Sequence, residues 1–356
     1  MRNAFTAGPA VHGEDFFGRS QLMASLLDSI AAGRASTLLI GESRIGKSSI
    51  LRQLAHLTEK DTVSAVFFDA YAGTPDALAI RLGHSLESVA ALGTRAAKAG
   101  EKGLFYLLRL LESSRDRLTI MIDEVDGIVS DKESARFIRA VASMGHKLVI
   151  ATSRIDPVNH ETHPDEPVWW NVFRIQYVGL FTESEARDML LTLSERSGQR
   201  FSVGECSFLL DVMGGYPFLL QWLGHEIFSR GFRECTTAQK RQLLKELAGD
   251  DSLFQIIGSY YDEWLGRLDE KQLSILISSA SSDGIAPNPT VASLKNRGLL
   301  IEGEDGRWHP FSRLFDEFLR AIPKGAMLSA DVKSKIWQAL FPAVKTVFEV
   351  AAKHYL

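Results

Sequence analysis

Apolar positions in the first half of the chain fall into two alternating patterns. Short, nearly unbroken apolar runs occur at Thr37–Ile40, Val63–Asp69, Leu118–Ile122 and Lys147–Ala151, and Phe173–Leu180, with Arg174 and Gln176 among its apolar residues, reads as one more strand. Runs of that length without polar alternation predict strands covered on both faces. Between them, apolar residues recur every three or four positions. Leu22, Met23, Leu26, Leu27, Ile30 and Ala31 predict an amphipathic helix capped near Ser20 and stopped at Gly33. Ile50–Ala55 opens a second helix, and residues 75–92 and 101–114 read as further helices joined by a loop from Gly93 to Gly100. Strands separated by helices predict a parallel sheet with helices on both faces, over residues 1–181.

From Thr182 the strand pattern ends. Thr182-Glu183-Ser184-Glu185 has the spacing of a capping box ahead of Ala186, Met189, Leu190 and Leu193. Further helical stripes follow at Phe208–Val212 and, beyond Gly214-Gly215-Tyr216-Pro217, at Leu219–Leu223, so 182–249 reads as a small helical domain. Residues 250–325 differ again. Helical spacing over Leu268–Ile277 is followed by a short helix near 291–297, a strand at Gly298–Ile301, an acidic turn at Glu304-Asp305-Gly306 and a return strand at Trp308–Phe311. That order outlines a winged helix. In the tail, 326–356, Trp337, Leu340, Phe341, Val344, Val347, Phe348 and Ala351 share one helical face that can dock on the preceding domain or serve as an interaction helix.

The first strand runs directly into Gly41-Glu42-Ser43-Arg44-Ile45-Gly46-Lys47-Ser48-Ser49 and then into a helix. This is the G-x-x-x-x-G-K-[ST] spacing in a strand–loop–helix setting, and it points to phosphate binding. Gly41 and Gly46 let successive backbone N–H groups turn toward phosphate oxygens, and the helix beginning near Lys47 adds its positive end. Lys47 brings an ammonium to the β- and γ-phosphates of ATP, and the Ser48 hydroxyl can ligate Mg²⁺. The run Leu118–Ile122 ends in Asp123-Glu124, which answers the loop about 80 residues later. Asp123 is expected to hold the metal's hydration shell from a neighbouring strand, and Glu124 to activate water. Arg154, after Thr152-Ser153, is placed to sense a γ-phosphate, while Thr152 and Ser153 are candidates for orienting water.

Composition excludes more than it selects. A net charge of −4 gives no bulk attraction to a polyanion. The two cysteines, Cys206 and Cys235, fit neither a disulfide framework nor a metal site and read as free thiols. His160 and His163 have H-x-x-H spacing but no matching second pair. The first residues lack the apolar core of a signal peptide, and no stretch of about 18 uncharged apolar residues offers a membrane span, so a cytoplasmic location is expected.

The ordered set Phe17-Gly18-Arg19, the phosphate loop, Met121-Ile122-Asp123-Glu124, Thr152-Ser153-Arg154 and Gly214-Gly215-Tyr216-Pro217 resembles the STAND branch of the AAA+ ATPases, over about residues 14–322. The resemblance implies an AAA+-like α/β P-loop NTPase domain followed by a helical lid and a winged-helix domain. It places Phe17, Gly18 and Arg19 beside adenine, Pro217 on the base from the lid, and Arg154 as the γ-phosphate sensor. ATP or ADP with Mg²⁺ would lie between the α/β domain and the lid. No arginine finger stands out, although Arg136 and Arg139 are candidates, and no effector or repeat sensor is attached.

The implied function is a slowly hydrolysing switch ATPase that self-associates or engages an effector protein, in signalling or defence. A DNA-binding ATPase of replication, transposition or chromosome maintenance is the alternative. Against it, the recognition segment at 289–298 offers only Lys295 and Arg297, and Glu302, Glu304 and Asp305 crowd the wing. A nucleotide-binding adaptor without turnover is a third reading.

Overall fold

The computed structural model describes residues 2–355 apart from 7, 59–63, 70–73, 90, 116, 146, 155, 157–167, 249, 282 and 323–344. His160, His163 and the tail positions up to Val344 therefore lie outside the described residues. The chain divides into two units. One comprises Ala10–Gly41 with Gly46–Val178, and the other Met1–Pro9 with Glu42–Ile45 and Gly179–Leu356.

The first unit is built on five parallel strands: β1 (Thr37–Ile40), β2 (Ser64–Asp69), β3 (Leu118–Asp123), β4 (Lys147–Ser153) and β5 (Arg174–Tyr177). Their order across the sheet is β2-β3-β4-β1-β5. The chain supplies the crossovers as α1 (Ser20–Ala32), α2 (Lys47–Thr58), α3 (Pro75–Ser85), α4 (Thr94–Gly100), α5 (Leu104–Ser113), α6 (Asp126–Val129) and α7 (Lys132–Ala142). The two faces of the sheet are sorted by residue parity, as a pleated strand requires. Leu38, Ile40, Leu118, Ile120 and Ile122 join one core with Leu78 and Leu82 of α3, Leu107 and Leu111 of α5, and Ile138 of α7. Leu39 and Met121, pointing the other way, are equally buried, and α2 lies against β2 and β3.

Two local expectations are corrected. Arg19, not Ser20, is the N-cap of α1, and Ser20 is already helical, while Gly33 ends the helix at φ 59°. The segment expected as a loop after Gly93 contains α4. The reason is tertiary. Ala96 and Ala97 are buried, and Gly83 of α3 meets Gly100 of α4 at backbone distance, so two small residues let the helices touch. Neither residue carries an apolar side chain that would announce a helical stripe.

In the second unit the described elements are α8 (Glu183–Arg196), α9 (Val203–Met213), α10 (Pro217–Ser229), α11 (Thr237–Ala248), α12 (Asp251–Leu265), α13 (Glu270–Ser279), α14 (Pro289–Asn296), β6 (Leu300–Glu302), β7 (Trp308–Pro310) and α15 (Arg313–Arg320). Local chemistry explains the starts. Capping boxes open α8 at Thr182/Glu185, α9 at Ser202/Glu205 and α13 at Asp269/Gln272. Prolines occupy the first turns of α10 and α14, where no N–H is needed. β6 and β7 form an antiparallel hairpin whose turn passes through Gly306 at φ 73°. Tyr216, Tyr261, Trp264, Phe311, Phe315 and Phe318 fill one aromatic core, and Phe5 from the amino terminus stacks against Phe228 at 5.6 Å in another. Residues 345–355 are helical, with Phe348 against Phe208. Among the described residues, no helix is long and apolar enough to cross a membrane.

Two measurements check this packing. A methyl group at Gly83 would sit 2.7 Å from the Ala96 carbonyl oxygen and 3.0 Å from Gly100 Cα. Overpacking typically costs about 1–3 kcal/mol and should exceed the helix-propensity gain of about 1 kcal/mol, so Gly83→Ala should lower the urea midpoint at unchanged slope. Both cysteines are free, and burial pushes the Cys206 thiol up to about 11 whereas Cys235 is partly exposed. A disulfide reagent at pH 8 should therefore modify Cys235 rapidly and Cys206 only on unfolding, read by mass spectrometry.

Candidate phosphate-binding site

β1 delivers the loop and α2 receives it. Gly41 N–H donates to the Ser153 carbonyl at 3.2 Å, which fixes where the loop leaves the sheet. Gly46 has φ 103°, and a Cβ there would meet nothing within 4 Å, so the backbone faces open space at the point where α2 begins. Lys47 is buried at the first helical position, its Nζ donating to the Gly41 carbonyl at 2.8 Å. Ser48 follows it and is half-buried. Ser49 has a structural bond, its Oγ accepting from Val11 N–H at 3.1 Å, and Gln53 accepts from Gly13 N–H at 2.6 Å. These two bonds lay the segment before Phe17-Gly18-Arg19 along α2.

The carboxylates arrive from β3, and here the expected neighbour relation is corrected. β4 stands between β1 and β3, so Asp123 comes from the next strand but one. The register nevertheless keeps the ends level. Ile40 lies beside Ser153, and Ile122 beside Ala151. Gly41, Thr152–Arg154 and Asp123-Glu124 thus emerge from one edge of the sheet.

Thr152 ties that edge together. Its hydroxyl donates to Asp123 Oδ1 at 2.5 Å and accepts from Glu124 N–H at 2.9 Å. The same carboxylate oxygen accepts from Glu124 N–H at 3.0 Å. Both hydroxyls proposed to orient water, those of Thr152 and Ser153, also bond to protein. Ser153 Oγ donates to Asp126 Oδ1 at 2.6 Å, and Arg154 N–H donates to Asp126 Oδ2 at 2.8 Å. Asp126 was not singled out in the sequence, because its role comes from lying opposite the end of β4. Arg154 forms an ion pair with Glu124, both about one-third exposed.

Among the described residues only Arg19, Arg44 and Glu124 combine a side chain with left-handed backbone, at φ 62°, 64° and 55°. Each such residue costs roughly 1–3 kcal/mol and persists where its surroundings dictate it. All three fall in motifs singled out above.

The loop tip belongs to the second unit. Glu42 is fully buried, with Oε1 accepting from Arg297 at 2.5 Å and Oε2 3.7 Å from Arg267. Ser43 Oγ donates to Glu263 at 3.1 Å and accepts from Trp264 Nε1 at 3.1 Å, while its carbonyl accepts from the Tyr216 hydroxyl at 2.5 Å. Arg44 places its guanidinium 5.5 Å from the Phe218 ring centroid and donates to the Gly8 carbonyl at 2.8 Å. Ile45 is buried. Pro217 opens α10 in that unit, whereas Phe17, Gly18 and Arg19 lead into α1 in the other. Arg136 and Arg139 are exposed on α7.

A family model described as "Novel STAND NTPase 1" matches residues 4–254. The chain belongs to this STAND NTPase family. No curated protein matches it. Among solved structures, the NTPase is similar to the Walker-type ATPase PABY2304 of Pyrococcus abyssi, at 20% identity and TM-score 0.59, over 89% of this chain and 99% of that one. It also matches Cdc6p of Pyrobaculum aerophilum at 13% identity and TM-score 0.49, over 99% and 97% of the two chains. A STAND protein with a tetratricopeptide-repeat sensor from Pyrococcus horikoshii matches at 17% identity and TM-score 0.41, over 89% of this chain and 44% of that one. At these identities the likeness to PABY2304 is one of fold.

The bonds of Thr152 make it the site's most testable support. Thr152→Val keeps the shape but takes one hydrogen bond from the buried Asp123 carboxylate and one from Glu124 N–H, which keep the bond to each other, a loss of about 1–3 kcal/mol. Denaturant unfolding of the variant should show that decrease.

Proposed function

We propose that this STAND NTPase binds ATP with Mg²⁺, hydrolyses it slowly and uses the nucleotide state as a switch. The observation that carries the reading is the single sheet edge from which the phosphate loop, both carboxylates and Arg154 emerge. The residues fit the group. Open space lies beside the Gly46 backbone, and a buried ammonium stands at the start of α2. Both described bonds to Asp123 fall on Oδ1, which leaves Oδ2 to work with the Ser48 hydroxyl in holding a hydrated metal. Bound Mg²⁺ would neutralise phosphate charge.

The Glu124–Arg154 pair gives the switch a physical basis. Arg154 neutralises Glu124 while no competing anion is near. A γ-phosphate offers the guanidinium a stronger partner, and its departure leaves the carboxylate free to accept a proton from water. After hydrolysis the ion pair can re-form, so the two nucleotide states differ in a discrete contact. Self-association or effector binding would read that difference, in signalling or defence.

The DNA-binding alternative meets an obstacle in the second unit. Lys295 lies 4.8 Å from the Trp308 ring centroid and Arg297 is buried on Glu42, so both cations of the segment have intramolecular partners. A packing role for the hairpin domain accounts for them better than phosphate contact does.

Lys47→Ala should abolish ATP and ADP binding with the circular-dichroism spectrum unchanged, and retained binding would end the site assignment. Glu124→Gln should slow phosphate release at least about tenfold at saturating ATP, in the range typical for a general base. An unchanged rate would leave a binding adaptor without catalytic use of Glu124. Mass measurement with ADP and with a non-hydrolysable ATP analogue should differ if nucleotide state governs assembly.

A further inference from the structure

Glu42, in the phosphate loop, lies in a buried ionic group. Phosphate binding by such a loop needs its backbone N–H groups and not the side chains of its intermediate positions. A fully buried carboxylate in that stretch is therefore unexplained by phosphate chemistry and unfavourable beside a polyanion. Its partners remove the difficulty. Arg297 bonds to Glu42 Oε1 at 2.5 Å through both Nε and Nη2, and Arg267 stands 3.7 Å from Oε2. Arg267 is itself paired with Glu263, so two carboxylates face two guanidiniums.

We propose that Arg297 is a positioning residue for nucleotide binding, acting through Glu42 on the conformation of the phosphate loop. This inference rests on the nucleotide-binding reading above. The loop's amides bind phosphate well only if they are held in place beforehand, because ordering them on binding would cost affinity. The tip is held by the residue before α10, by α12 and by the residue after α14, through Tyr216 and Trp264 on Ser43 and through Arg297 on Glu42. Arg297 is the part with most at stake, since removing one partner of a buried ion pair leaves the other charge uncompensated. Nucleotide affinity and the packing of the hairpin domain become linked through one side-chain pair. By reciprocity, bound nucleotide must stabilise that packing.

The test is dissociation of a fluorescent ADP analogue from the full-length protein, chased with excess ADP. Arg297→Gln should release it about tenfold faster, within the usual range of such couplings. Arg313→Gln breaks the ion pair with Asp211 (3.0 Å) in the same unit without touching the loop, and should stay within about twofold of wild type. In the double variant Glu42→Gln/Arg297→Gln the two effects should not multiply, because they act through one contact. An Arg297→Gln rate equal to that of Arg313→Gln, or effects that multiply in the double variant, would overturn the inference. If Arg297→Gln fails to fold, Tyr216→Phe removes only the hydroxyl held on Ser43. It should then speed release about threefold, and an unchanged rate counts against the proposal. Failure of the wild-type protein to bind ADP would overturn the nucleotide reading and this inference together. Binding with an unaltered Arg297→Gln rate would overturn this inference alone.

Discussion

The hydrogen-bond ladders that flank β4 carry the rest of the arrangement. Two strands contribute the residues of interest, β1 with the phosphate loop and β3 with Asp123-Glu124, and neither touches the other in the sheet. β4 pairs with both in parallel, so the three carboxyl ends come level. Only then can Thr152 reach Asp123 and Glu124 on one side while Ser153 accepts the Gly41 N–H on the other. A parallel ladder cannot slip by one residue without exchanging Ile40, Ile120 and Ile122 with Leu39 and Met121 between two differently packed faces, so the fit of those side chains to their own helices fixes the site's geometry.

Backbone strain follows the same logic. Glu124 adopts φ 55° because its N–H is drawn to the Thr152 hydroxyl and to Asp123 Oδ1 at once. That conformation turns the chain away from the strand and presents the carboxylate to Arg154. Arg44 is held left-handed in a tip whose three consecutive side chains are each engaged by the second unit. These residues are strained where bonds to them are dense, as expected when the surroundings over-determine a local conformation.

The second unit shows how little a cation's presence in a sequence says about its use. Arg297 follows a short helix in a winged-helix outline, where a basic residue invites a nucleic-acid reading. Buried on Glu42, it has left the solvent, and Lys295 rests on Trp308. The acidic wing, with Glu302, Glu304 and Asp305 exposed, adds repulsion where a phosphate backbone would approach.

The amino-acid sequence determined the features with local causes. Unbroken apolar runs specify doubly covered strands, capping boxes and first-turn prolines set the helix starts of the second unit, and the glycine spacing around Lys47 specifies a loop open to phosphate. Those depend on residues within a few positions of each other. The tertiary structure decided the rest. It made a helix of Thr94–Gly100 through a Gly83–Gly100 approach, gave Thr152 and Asp126 their partners across β4, and seated Glu42 on Arg297, 255 residues away. No pattern along the chain encodes such pairs, because a buried polar group needs a partner only once folding has excluded water, and which one it meets is settled by the path of the backbone.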